Sequence, residues 1–317
     1  LINCQKTIKS QNSCAQVKAR QLSSAAFATA YRTSESEVRQ SADRPYDRLF
    51  IYHLKGHLVP GANLFGVNFI GNWQEDKFSF LFFSEPSEKQ VQQLLVEQPQ
   101  LTLLDKYAMA YDDWQGENIA PLRVGRFRIV PAWSKSKKEA QTEKALTPIV
   151  LDPGVVLGAG NHPTTCGCLT ALELLFREKM PRSALDLGTG TGLLALATAR
   201  LGCRQTIAVD INALAARTAQ NNIRLNHLEN RVMVVQGDAE NLIELQTDLV
   251  IANMHYEVLK RLLSCGGFYN KKWFILSGLF YNQAKDVVYK LAQRSVCVIK
   301  IWKHDRVWHT LFGGKCC

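Results

Sequence analysis

The chain has 317 residues, 46% of them hydrophobic and 21% charged, with a formal net charge of +10. That is enough apolar material for a sizeable core and enough length for two domains. No apolar run approaches the ~18 residues of a membrane helix, which excludes a helical span and leaves no membrane partner to expect.

In chain order, residues 1–48 read as a disordered leader outside the fold. They carry lysine, arginine, serine and alanine without periodicity, and the first acid is Glu35. Regular signals begin at Leu49. Leu49–Leu54, Asn63–Trp73, Phe78–Ser84 and Leu101–Tyr111 read as strands, rich in phenylalanine, isoleucine and valine. Between them Ser87–Glu97 has helical spacing, with Val91, Leu94 and Leu95 on one face. Residues 49–115 therefore form a small α+β domain. Residues 116–147 read as a linker that contains one strand, Phe127–Trp133, and then a lysine-rich solvated loop. Trp114 reads as packed against it.

The second domain, residues 148–317, carries the chemistry. A glycine-rich loop, Asp152 to Thr165, enters a helix at Pro163, with His162 in a capping or packing role. Next, Ala184-Leu185-Asp186-Leu187-Gly188-Thr189-Gly190-Thr191-Gly192-Leu193 is a buried strand, a tight turn and a helix start. Gly188 and Gly190 leave room for a ligand at the backbone, facing the helix's free N–H groups. Three more buried strands end in Asp210, at Asp238 and in Asn253. Helices over Tyr256–Leu263 and Gln283–Gln293, a strand at Trp273–Leu276 and a closing hairpin (Val296–Ile301, Val307–Phe312) complete a seven-stranded, doubly wound Rossmann-like α/β sheet.

The turn chemistry separates two nucleotide cofactors. A dinucleotide fingerprint has glycine at its first, third and sixth positions. Here the sixth position is Leu193, and Asp186 would repel a pyrophosphate while suiting the ammonium of an S-adenosylmethionine tail. Asp210, some 20 residues on, stands where a ribose diol is held in either case. Asp238 is placed to meet an adenine amino group. The nine cysteines contain no CxxC pair and several lie in apolar runs, so they read as reduced, in a cytoplasmic setting, with Cys316-Cys317 as a mere tail. The histidines form no metal motif, and no metal is expected.

The segments DPGVVLGAGNHPTT, DLGTGTG, AVDIN and ANMHY resemble the ribosomal protein L11 methyltransferases. The resemblance implies S-adenosylmethionine as cofactor and methylation of amino groups, lysine or N-terminal, on a large-subunit ribosomal protein. It also implies a recognition role for the small domain and cofactor contacts at Thr165, Gly188, Asp210 and Asn253. Two loops depart from the family pattern: Leu157, Ala159 and Asn161 in the first, Met254-His255-Tyr256 in the second.

Asn253 is the expected catalytic residue, its amide oxygen accepting N–H groups and aiming the amine's lone pair. A second reading takes Asn253-x-x-Tyr256 as a loop for planar nitrogens of RNA or glutamine; a third is a non-catalytic binding scaffold. Positive charge is spread thinly, so stable nucleic-acid binding is not expected, and a monomer is the default.

Overall fold

The computed structural model describes residues 45–59, 66–115, 120–134, 146–156 and 158–316. All but the last four residues of the expected leader, and most of the lysine-rich loop, lie outside this set. Among the described residues no helix is long and apolar enough to cross a membrane.

The first sheet contains β1 (Arg48–Lys55), β2 (Phe69–Glu75), β3 (Phe78–Phe83) and β4 (Thr102–Ala110). Its order is β2-β3-β1-β4, antiparallel throughout. Period-two alternation divides its side chains between two layers. Tyr52, Leu54, Leu81 and Phe83 pack on Val91 and Leu94 of α1 (Glu88–Glu97). Leu49, Ile51 and Phe82 face the other way, toward Val155, Val156 and Leu214. β4 leads into α2 (Tyr111–Gln115), a short helix that begins at Tyr111, the last residue of the expected fourth strand.

The expected linker needs correction. Within it, β5 (Leu122–Val124) and β6 (Phe127–Pro131) join β7 (Thr147–Leu151) in a three-stranded sheet. Phe127, Ile129, Ile149 and Leu151 are buried in the same core as Leu169, Leu172 and Leu196. The parallel β6–β7 pairing matches Phe127 to Thr147 and Pro131 to Leu151. Such pairing is non-local, and nothing in either segment alone announces it.

The main sheet holds β8 (Ser183–Leu187), β9 (Gln205–Asp210), β10 (Val232–Gln236), β11 (Leu249–Asn253), β12 (Trp273–Phe280), β13 (Val296–His304) and β14 (Trp308–Lys315). Its order is β10-β9-β8-β11-β12-β14-β13, parallel except for β14. Helices α3 (Pro163–Glu178), α4 (Leu193–Arg200) and α5 (Ala213–Leu225) cover one face. On the other face lie α7 (Tyr256–Leu262) and α8 (Tyr281–Ala292), with the four-residue α6 (Ala239–Leu242) nearby. Leu249 and Ile251 enter the first layer, Val250 and Ala252 the second. Burial on both sides explains the continuous apolar runs of these strands.

Two further differences follow from tertiary pairing. β12 runs to Phe280 through a register shift after Leu276, four residues beyond the expected end. Cys297 and Cys316, read as reduced, form a disulfide, because β13 and β14 pair Cys297 with Gly314 and bring the tail alongside.

Candidate active site

Strand order reverses between β8 and β11, and open α/β sheets bind ligands at the carboxyl edge of such a point. The residues singled out in the sequence lie along that edge in strand order: Asp238, Asp210, Gly188, Asn253.

Asp186 is 1% exposed, and Thr189 Oγ1 donates to its carboxylate at 2.6 Å. Burial pushes its carboxyl up to about 7, against the lowering effect of Thr189 and the Ala195 backbone. Gly188 follows with φ of 66°, and a Cβ there would stand 2.7 Å from the Met254 Cε. The flexible end of Met254 could move aside, so the positive φ of the turn is what calls for glycine at this position.

Asp210 is held by two backbone donors, Gly190 N and Asn212 N, each at 3.0 Å. Burial still raises its pKa. The Gly190 N–H is thus committed to Asp210, so this glycine shapes the turn and orients the acid. Gly237 N donates to the Asp210 carbonyl at 2.9 Å, which ties the Asp238 corner to the same edge. Asp238 itself caps α6, accepting from Glu240 N at 2.9 Å.

Asn253 closes β11 and is half-buried. Its Nδ2 donates to Thr165 Oγ1 at 3.5 Å, joining the fourth strand to the first turn of α3. His162 caps that helix: its Nδ1 accepts from Thr164 N at 3.3 Å, and burial lowers its pKa. Tyr256 points elsewhere. Its hydroxyl donates to Asp286 at 2.5 Å, which raises the phenol to about 12.

Sequence reasoning missed the braces beneath these residues. Asn222 on α5 and Asn226 at its C-terminal cap, one turn apart, are buried and imitate a neighbouring strand. Asn226 exchanges hydrogen bonds with the Val150 backbone at 3.0 and 2.6 Å. Asn222 accepts from Asp152 N at 2.7 Å and donates to Asp152 O and Thr191 O at 2.9 and 2.8 Å. One side chain therefore locks the glycine turn to the 152–156 loop. The available signal was two amides on an otherwise apolar helix face beside Ala219 and Ile223. From α2, Tyr111 and Gln115 donate to Gly154 O at 2.6 and 2.9 Å, and Trp114 donates to Val155 O at 3.0 Å.

This donor set fits S-adenosylmethionine. A carboxyl as buried as Asp186 gains most from a cationic neighbour. Asp210 has both oxygens fixed by backbone N–H groups, ready to accept from a diol.

A family model described as "Ribosomal protein L11 methyltransferase (PrmA)" matches residues 73–315. The ribosomal protein L11 methyltransferase of Staphylococcus carnosus is 33% identical over 247 residues, covering 72% of this chain and 76% of that protein. Its counterpart in Staphylococcus haemolyticus is 35% identical over 212 residues, covering 64% and 65%. A crystal structure of ribosomal protein L11 methylase from Lactobacillus delbrueckii subsp. bulgaricus superposes with a TM-score of 0.54 at 25% identity. It matches 62% of this chain and all of that one. The chain belongs to the ribosomal protein L11 methyltransferase family, and it is an S-adenosylmethionine-dependent methyltransferase of Rossmann-like fold.

Proposed function

We propose that this chain methylates amino groups of ribosomal protein L11, the substrate that its relatives' names carry. The observation that carries the residue roles is the Asn253–Thr165 contact at the switch point of the sheet.

The cofactor supplies a methyl carbon on a sulfonium, already attached to a good leaving group. In our reading Asp210 holds the ribose hydroxyls, Asp238 meets the adenine amino group, and Asp186 lies behind the amino-acid end. Gly188, Gly190 and Thr165 shape the surface between them. What remains for the protein is to present a neutral amine in line. A free lysine has a pKa of ~10.4, so only about one in 2,500 is neutral at pH 7. Shielding from water lowers that pKa, and fixed orientation adds the gain of proximity. With its Nδ2 turned to Thr165, the Asn253 amide keeps Oδ1 as an acceptor that steers the amine N–H groups. The planar-nitrogen alternative is disfavoured, since a stacking Tyr256 would have to leave Asp286.

We also propose that residues 49–115 recognise the substrate protein, that the chain works as a monomer without stable nucleic-acid binding, and that it acts in the cytoplasm, where ribosomes assemble. The Cys297–Cys316 bond pulls against that last point, because reducing compartments keep thiols apart. The test is incubation with methyl-labelled cofactor and a ribosomal extract containing both the large-subunit proteins and their RNA. Label should appear on L11, survive RNase and be released by protease; label in RNA overturns the reading.

A further inference from the structure

One face of the first sheet is aromatic yet incompletely covered. Trp73 pairs across strands with Phe80, and Ile51 sits between Phe82 and Tyr107 on its two neighbours. α2 adds Trp114, whose ring meets Phe82 edge-on at 5.1 Å. These rings line a cavity of about 520 Å³. Glu75 contributes to its wall from β2, and His255, two residues beyond Asn253, contributes from the catalytic domain.

A sheet face meant for water carries polar residues at alternate positions, and one meant for the core covers its rings. Here Trp73 and Phe80 are only half-buried and Tyr107 is 42% exposed. The chemistry of the wall selects the occupant. Aromatic faces attract a cation within ~6 Å of the ring centroid, and a carboxylate beside them adds charge of the right sign. A purely apolar guest would bury Glu75 without compensation. Among cations, an amine that has gained methyl groups has lost N–H donors, so it gains less from an amide acceptor such as Asn253. It gains correspondingly more from π faces, the known mode for quaternary ammonium groups.

We infer that this cavity is an aromatic cage for an N-methylated ammonium side chain carried by the protein substrate, held beside the loop where methyl transfer takes place. The inference rests on the methyl-transfer reading above and assigns Trp73, Tyr107, Trp114 and Glu75 as its binding residues.

Calorimetry on the full chain tests it with three probes: a short peptide bearing trimethyllysine, the same peptide with a neutral tert-butyl isostere, and S-adenosylmethionine. The charged peptide should bind roughly tenfold tighter than the isostere. Glu75→Gln, at an exposed position, should weaken the charged peptide about threefold and leave the isostere unchanged. Trp73→Ala and, as a milder variant, Tyr107→Leu should each weaken it by about tenfold with the cofactor's heat intact. Equal binding of both peptides, or variants that bind like the parent, overturns the cage. Loss of the cofactor's heat in the parent chain with peptide binding retained would instead overturn the methyl-transfer reading.

Discussion

The carboxyl edge of the main sheet and the open face of the first sheet solve opposite problems. At the edge, polar groups from three strand ends are buried or half-buried and already engaged: Asp186 with Thr189, Asp210 with Gly190 and Asn212, Asn253 with Thr165. On the open face, aromatic rings stand half-covered around a cavity. The first arrangement is complete within one chain, as a site for a small constant ligand must be. The second leaves its apolar surface for a partner to finish, as protein recognition requires.

That contrast can be broken by substitution. The largest effect is expected at Asp210→Ala. Two hydrogen bonds to a charged group, at about 1.5–3 kcal/mol each, predict a loss of at least ~100-fold in cofactor affinity by calorimetry. Trimethyllysine-peptide binding should not change. Asn222→Leu removes three hydrogen bonds that link the glycine turn to the 152–156 loop. It should lower stability by about 2–4 kcal/mol in urea unfolding, while Glu75→Gln stays within ~0.5 kcal/mol. If both prove neutral, the edge is not the rigid partner in the comparison. Asn253→Ala should slow methyl transfer about 10- to 100-fold in single-turnover assays, the worth of one well-placed polar contact to the reacting group.

A further effect is on pH. Asp186 titrates near 7 in the folded chain, well above an unfolded aspartate near ~3.9. Between those values the folded state binds more protons than the unfolded one. Stability therefore falls as pH rises from about 4 to about 7, and Asp186→Asn should remove that slope. Cofactor affinity should move the other way, rising roughly tenfold between pH 6 and 8 as the carboxylate forms. A flat profile in the parent chain would separate Asp186 from the cofactor's cation. Peptide binding at the first sheet should be indifferent to Asp186.

What the chain alone determined is local. Continuous apolar runs at Leu249–Ala252, a turn of alternating glycines after Leu187, and an acid or amide at each strand end are set by neighbours within a few residues, so the doubly wound sheet and its edge were legible. Tertiary structure alone decided the rest. β5 and β6 became part of a sheet only by meeting β7, and Asn222 and Asn226 became braces only against the backbone of 150–152. Cys297 found Cys316 through the register of two strands, and five aromatic rings from four elements became a cavity only when α2 docked on the 152–156 loop. The physical reason is common to all four: each contact joins segments far apart in sequence, and its energy depends on a geometry that neither segment encodes.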